Sequence, residues 1–316
     1  MSSYISYLFG SLGKSGFGSS STADEIATKY GDTLNNKVAI VTGANSGIGK
    51  ETVRCLAKQG ATVIMACRNL EKGQAAMDEL KANEELKGEL KLMECDVSSL
   101  ASVRSFAKAF QGTKLPLNYL VNNAGVMASP FHLTVDGNEN QFGTNYLGHF
   151  LLTELLLDNL QKSTGTSRVV IVASEAHKFA EYGNPDYEKI QDKDYASPYM
   201  FYAYSKLANV LHAKALHEKL SQNKDNTITV NALHPGIFES ALQRHGIAPT
   251  IANYLFMPIV KNIPQGAATS MAAICVPDLE GGQYLADCNV YVATSQGNDM
   301  ERARKLRELS EKLVSA

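Results

Sequence analysis

Tyr202 and Lys206 stand four residues apart, and of the fourteen tyrosines only Tyr202 is followed by lysine at that distance. On a helix the two side chains share a face. A free phenol titrates near about 10, too high to exchange protons readily at neutral pH. A lysine ammonium beside it favours the phenolate and lowers that value, which suits general acid/base work. The plainer alternative is a packed tyrosine with a solvated lysine one turn later. The spacing alone does not separate the two; the surrounding chain does.

The elements that would position this pair alternate strand and helix. Lys37-Val38-Ala39-Ile40-Val41 is an apolar run of strand length. It leads directly into Thr42-Gly43-Ala44-Asn45-Ser46-Gly47-Ile48-Gly49 and then a helical pattern through Val53 and Leu56 that stops at Gly60. Strand, glycine-rich turn and helix in that order form the setting of a dinucleotide-binding turn: glycines let the backbone approach a pyrophosphate, whose charge meets the free N–H groups at the helix start. The next strand, 61–66, ends at Cys67-Arg68, and Cys67 lies twenty residues past Gly47. An acid there would serve the ribose hydroxyls of NAD. A cysteine followed by arginine favours a 2′-phosphate, and therefore NADP(H).

Three further strands carry candidate groups at their carboxyl ends. Residues 90–95 end in Asp96-Val97, and 117–121 run into Asn122-Asn123-Ala124-Gly125, small and amide residues that leave room for a ribose and nicotinamide. The run 168–173 delivers Ser174. A long amphipathic helix is expected over 138–160, with Asn145 in it, and 175–198 reads as a loop. The strand 227–233 ends in His234-Pro235-Gly236. The alternation predicts an α/β chain: one doubly wound parallel-sheet Rossmann domain over 36–316, helices on both faces, and an N-terminal tail over 1–35. From 237 to 264 the sequence is apolar but irregular. It reads either as a substrate lid, which predicts an apolar substrate, or as an ordinary packed helical insert.

Composition narrows the classes. The 316 residues are 44% hydrophobic, enough for a full core, and a net charge of −2 gives no bulk drive toward nucleic acid or anionic lipid. Five scattered cysteines with no C-x-x-C read as reduced intracellular thiols, and no metal site is expected from the dispersed histidines. No run reaches membrane-spanning length and no signal peptide is visible. The stretch 4–9 is too short to span and could only touch an interface. The expected setting is cytoplasmic, with peripheral membrane contact left open.

Taken in order, Thr42-Gly43-x-x-x-Gly47-Ile48-Gly49, Asp96-Val97, Asn122-Asn123-Ala124-Gly125, Asn145, Ser174, Tyr202-x-x-x-Lys206 and Pro235-Gly236 resemble the short-chain dehydrogenase/reductase family over about residues 36 to 290. More narrowly, the runs 43–52, 66–69, 145–150 and 205–211 are similar to the retinol dehydrogenase branch, which includes WW-domain oxidoreductases and plant chloroplast-translocon-associated dehydrogenases. The resemblance implies carbonyl–alcohol interconversion with NADP(H) on an apolar retinoid, steroid or lipid aldehyde. Tyr202 would be the acid/base, Lys206 its partner and ribose anchor, Ser174 the donor to the substrate oxygen, and Asn145 the anchor of a water relay. Gly43, Asn45, Ser46, Gly47, Ile48, Gly49, Arg68, Asp96, Val97, Asn123, Ala124, Gly125, Pro235, Gly236 and Ile237 would line the cofactor. The family often has a threonine past Pro-Gly; this chain has Glu239-Ser240, with Ser240 the expected substitute. The Ser174-to-Tyr202 gap of 28 residues exceeds the common spacing and makes 175–198 a candidate pocket wall. The family also implies a homodimer as one arrangement. The rival of a different class is an NADPH-sensing binding protein with little turnover. Such a binder would be expected to lose one of Asn145, Ser174, Tyr202 or Lys206, and all four are present.

Overall fold

Strand β1 (Val38–Thr42) is buried on both faces, with Val38 and Ile40 facing one apolar layer and Ala39 and Val41 the other. This period of two in an unbroken apolar run is what a central parallel strand requires. The computed structural model describes residues 12–238 and 260–315. Around β1 it places β2 (Thr62–Cys67), β3 (Leu90–Glu94), β4 (Tyr119–Asn122), β5 (Ser167–Val172), β6 (Ile228–His234), β9 (Tyr284–Ala286) and β10 (Asn289–Tyr291) in one sheet. Its order is β10-β9-β6-β5-β4-β1-β2-β3. All pairings are parallel except β9 with β10. The doubly wound parallel sheet expected from the sequence is thus present, with an antiparallel edge strand added.

Helices cover both faces. On one side α2 (Gly47–Lys58) and α7 (Ile263–Cys275) bury Val53, Leu56 and Met271 against Val41, Val63 and Met65. On the other, α4 (Leu100–Gly112) and α5 (Gly148–Gln161) bury Phe106, Phe110, Leu152 and Leu156 against Ile40, Ile64 and Leu120. α3 (Leu70–Asn83) links β2 to β3. A third apolar cluster lies under α8 (Met300–Ser315), whose Ala303 and Leu306 meet Tyr146, Phe150 and residues of α6 (Pro198–Ser221). α6 starts sharply: the Ser197 side chain accepts the Met200 N–H, and Pro198 occupies the first turn, where its missing N–H is not needed.

The structure differs from the sequence reading in four places. The expected tail is packed where it is described: Phe17, Ile26, Ala27 and Leu34 are buried, and α1 (Ala23–Lys29) closes against α2 and α7 with a capping box between Thr22 and Glu25. Asn289 ties this segment to the far end of the chain, accepting the Ser15 N–H at 3.0 Å and donating to the Phe17 carbonyl at 2.9 Å. The helix expected over 138–160 is present without a gap over 140–161, but a π turn, Gly143–Leu147, is set into it before α5. Short helical turns at Glu175–Phe179, Ala180–Gly183 and Tyr187–Lys189 replace the loop expected over 175–198. At the sheet edge, Asp287 and Cys288 both take positive φ, the two-residue turn whose twist matches a β-hairpin.

Of the expected lid, the entry strand β7 (Ile237–Phe238) and exit strand β8 (Val260–Lys261) pair in parallel, Ile237 with Val260. Residues 239–259, including Ser240, lie outside the described residues. Among the described residues no helix is long and apolar enough to cross a membrane, and no cluster of metal-ligating side chains occurs.

Candidate active site

Thr42, Cys67, Asn122, Val172 and His234 end their strands on the same edge of the sheet, and β1 lies between β2 and β4, where the winding reverses. Open α/β sheets bind ligands at that reversal. The glycine turn is built to close there. A Cβ on Gly49 would sit 2.4 Å from the Gly43 carbonyl oxygen and 2.6 Å from Asn123 Nδ2. Gly43 itself is at φ +64° with Ala124 Cα 3.0 Å from its Cβ position. Gly47, at φ +54°, has nothing within 4 Å on its Cβ side. The turn is therefore tight where it meets the sheet and open where a pyrophosphate would approach. Ser46 leaves the α2 N-terminus without a side-chain cap, and no acid lies in its first turn. These residues fit a dinucleotide.

The Thr42 hydroxyl organises the neighbouring turn. It accepts the N–H of Asn123 and of Ala124, each at 2.9 Å, while Asn123 Nδ2 donates to the Thr42 carbonyl at 2.8 Å. The Asn145 side chain then clamps the next residue. Its Oδ1 accepts the Val126 N–H at 2.7 Å, and its Nδ2 donates to the Val126 carbonyl and to Ser205 Oγ, both at 2.9 Å. Ser205 precedes Lys206, so one amide joins the cofactor-side turn to the helix bearing Tyr202 and Lys206.

Around Gly125 these groups converge: its Cβ position lies 3.1 Å from Asn145 Oδ1 and 3.7 Å from Lys206 Nζ. Lys206 Nζ donates to the Val172 carbonyl at 2.9 Å and sits 5.6 Å from the Tyr202 ring centre. Ser174, at the end of β5, accepts the Ala176 N–H at 3.1 Å and hydrogen-bonds the Tyr202 phenol. The expected lowering of the Tyr202 pKa by Lys206 is not found. Burial raises the phenol above its ordinary value against the opposing hydrogen bond from Ser174. Lys206 donates instead to the Val172 carbonyl, and burial brings its own pKa down to about 7.

At the adenosine side Cys67 is buried and Arg68 exposed, with no ion pair for Arg68 among the described residues. Burial pushes the Cys67 thiol up to about 11 although the Ala44 and Asn45 N–H groups act on it, so a neutral sulfur stands where an acid would repel phosphate. Asp96 Oδ1 accepts from Ser98 N–H at 2.9 Å and Ser98 Oγ at 2.6 Å, which fixes the turn carrying Val97. At the far end Gly236, φ +97°, lies against the Lys261 stem, whose Cδ would be 2.5 Å from a Cβ. Lys261 is buried and ion-paired to Asp287 at 2.5 Å. Of Ile237 the structure gives the strand position.

Two polar groups that meet this site were given no part by the sequence reading: Ser205 and His149. Both stand inside the runs 205–211 and 145–150, and His149 is one helical turn past Asn145, which is the only signal the sequence offers.

A family model described as short chain dehydrogenase matches residues 37–188. "Short-chain dehydrogenase TIC 32 B, chloroplastic" of Brassica napus is 42% identical over 316 residues, covering 97% of each chain. WW domain-containing oxidoreductase of Danio rerio is 42% identical, covering 90% of this chain and 70% of its own. Retinol dehydrogenase 12 of Mus musculus is 39% identical, covering 89% and 87%. Among solved structures, an uncharacterized protein from Mycobacterium paratuberculosis superposes with a TM-score of 0.71 at 34% identity, over 90% of this chain and 95% of its own. The Pseudomonas aeruginosa RhlG/NADP active-site complex gives 0.62 at 25% identity, over 80% and 94%. The chain belongs to the short-chain dehydrogenase family, a class of oxidoreductases that use a nicotinamide cofactor. Within it the chain falls in the branch that holds the retinol dehydrogenases and WW domain-containing oxidoreductases.

Proposed function

We propose that the protein is an NADP(H)-dependent oxidoreductase that interconverts a carbonyl and an alcohol on a small apolar substrate of the retinoid, steroid or lipid-aldehyde class. The observation that carries this reading is the convergence of the Tyr202 phenol, the Ser174 hydroxyl, Lys206 and Asn145 beside the Gly125 turn. A bound NADPH supplies the hydride. Ser174, whose oxygen already accepts the Ala176 N–H, directs its proton to the substrate oxygen, and Tyr202 donates the proton that completes the alcohol. In alcohol oxidation the same phenol oxygen takes the proton back. Lys206 holds the nicotinamide ribose, and Asn145 anchors the water relay by which Tyr202 is reprotonated.

Arg68, with no acidic partner among the described residues, is the group we assign to the 2′-phosphate. Gly43, Asn45, Ser46, Gly47, Ile48 and Gly49 take the pyrophosphate side; Asp96, Val97, Asn123 and Ala124 the adenosine and ribose side; Pro235, Gly236, Ile237 and Ser240 the carboxamide side. The apolar sequence between 237 and 264 and the retinol named in the relatives' titles support an apolar substrate. Five buried free thiols support a reducing compartment. We place the protein in the cytoplasm, with peripheral contact at an intracellular membrane. The Brassica relative's printed name gives the chloroplast, and cell fractionation separates these settings.

Titration with NADPH and NADH, followed by oxidation of the reduced cofactor with retinal and an aromatic aldehyde, tests the function. Tight NADPH binding with aldehyde-dependent turnover is expected. Binding without turnover on a broad carbonyl panel overturns the catalytic reading in favour of a cofactor sensor, and a preference for NADH overturns the role given to Arg68.

A further inference from the structure

His149 is fully enclosed in α5, and both of its ring nitrogens are engaged: Nδ1 lies 3.1 Å from the Asn145 carbonyl oxygen, and Nε2 lies 2.9 Å from Thr42 Oγ1. A carbonyl oxygen only accepts, so Nδ1 carries the proton and Nε2 the lone pair. Thr42 Oγ1 already accepts two N–H groups, from Asn123 and Ala124, so its own proton has to find an acceptor. The Val121 carbonyl stands at 3.4 Å and His149 Nε2 at 2.9 Å, and the shorter contact takes it. Every hydrogen-bonding group in the chain Asn145–His149–Thr42–Asn123/Ala124 then has a partner of the right sense. Burial holds the imidazole near 4, so it stays in this neutral form at neutral pH.

The two ends of that chain matter to the reaction for different reasons. Asn145 sits in the π turn Gly143–Leu147, where Gly148 N–H reaches back to the Gly143 carbonyl. Single π turns occur where a helix is bent to serve a site. Here the turn aims the Asn145 amide at Val126 and Ser205. The Thr42 end sets the 123–125 turn against the glycine loop. A second stitch runs in parallel and leaves the packing of α5 on β4 less dependent on the imidazole: Asn122 Nδ2 donates to Thr153 Oγ1, whose proton goes to the His149 backbone carbonyl.

We propose that His149 is a positioning residue of the site: one nitrogen fixes Asn145 in the π turn, the other fixes the cofactor-side turn through Thr42, and the ring sets the distance between them. The effect on turnover rests on the oxidoreductase reading above; the effect on cofactor affinity does not.

Three variants separate the arms. His149→Leu removes both, and kcat and NADPH affinity should each fall by about 10- to 100-fold, because buried partners are left unpaired. His149→Asn keeps a donor within reach of the Asn145 carbonyl but not Thr42; it should hold kcat within about threefold while weakening NADPH binding about tenfold. His149→Gln reaches Thr42 instead and should show the reverse split. Where the leucine variant does not fold, the amide variants and a nitrogen NMR measurement on the unmodified protein decide. The spectrum should show a single protonated ring nitrogen, Nδ1, unchanged between about pH 5.5 and 8.5. Protonation at Nε2, or amide variants that lose thermal stability with no split between kcat and NADPH affinity, overturns the proposal. Unmodified protein that binds NADPH but turns over no carbonyl sinks the oxidoreductase reading alone, since the affinity and NMR arms still report on His149.

Discussion

Lys206 Nζ donates to the Val172 carbonyl at 2.9 Å, a neutral acceptor for a side chain that is buried in the core of the site. Its pKa falls from 10.5 to about 7 on folding through burial alone. Between those two values the unfolded chain binds a proton that the folded chain does not, so this group makes stability rise with pH across that window. Below about pH 7 the folded state carries the whole penalty of a buried charge. Lys206→Met should therefore abolish turnover and yet raise stability at pH 6, by on the order of 2–4 kcal/mol, with the gain shrinking by pH 9. Asn209 Nδ2, 3.3 Å away, still satisfies the Val172 carbonyl in the variant. Urea denaturation at the two pH values checks the sign; a loss of stability at pH 6 would contradict it.

Tyr202→Phe removes the phenol and leaves its ring. Turnover should fall by about 10²- to 10⁴-fold with NADPH affinity unchanged. Because burial keeps the phenol protonated well past neutrality, carbonyl reduction by the native protein should be nearly flat from pH 6 to 8, while alcohol oxidation climbs with pH. Initial rates in both directions across that range read this out. A reduction rate that drops on going from pH 6 to 8 would mean that the phenol is lowered or that Lys206, near 7, sets the rate.

Arg68→Ala tests cofactor choice. An exposed guanidinium with no ion pair among the described residues supports little else in the fold, so stability should not change. NADPH affinity should fall by about 10- to 100-fold and NADH affinity should stay put, as measured by cofactor fluorescence titration. Equal losses for both cofactors would assign Arg68 a general electrostatic part.

Phe17→Ala tests the packed N-terminal segment. The ring is buried, stacks edge-on against Tyr30 at 6.3 Å and lies under Lys29 Nζ at 4.8 Å. Truncation should cost about 2–4 kcal/mol, somewhat below a central core phenylalanine because the site lies at the rim. Denaturation should register the loss while the NADPH affinity holds.

Much of the sheet was legible because β1, β2 and β5 are short unbroken apolar runs that only a strand buried on both faces accommodates, and their carboxyl ends named Gly43, Cys67 and Ser174. The helix over 138–160 was legible as apolar periodicity, but its π turn was not: one extra residue per turn leaves the apolar count unchanged, and only the register of Gly143 and Gly148 reveals it. The packing of 17–34 was hidden because its partners, α7 and Asn289, are far away in sequence and the local composition of Gly and Ser matches a free segment. β10 is three residues long, too short for a period to appear. The upward shift of the Tyr202 phenol was not legible because spacing reports which side chains are near each other, not how far burial desolvates them.

The bond between Asn289 Nδ2 and the Phe17 carbonyl spans 272 residues. A chain leaves the ribosome amino end first, so the segment holding Phe17 and Ile26 emerges long before α7 and Asn289, two of its partners, exist. That part of its packing waits for the end of synthesis, and loop closure over that separation is slow compared with local pairing. Among the described residues, the last strand to be made is the one that secures the segment around Ser15 and Phe17.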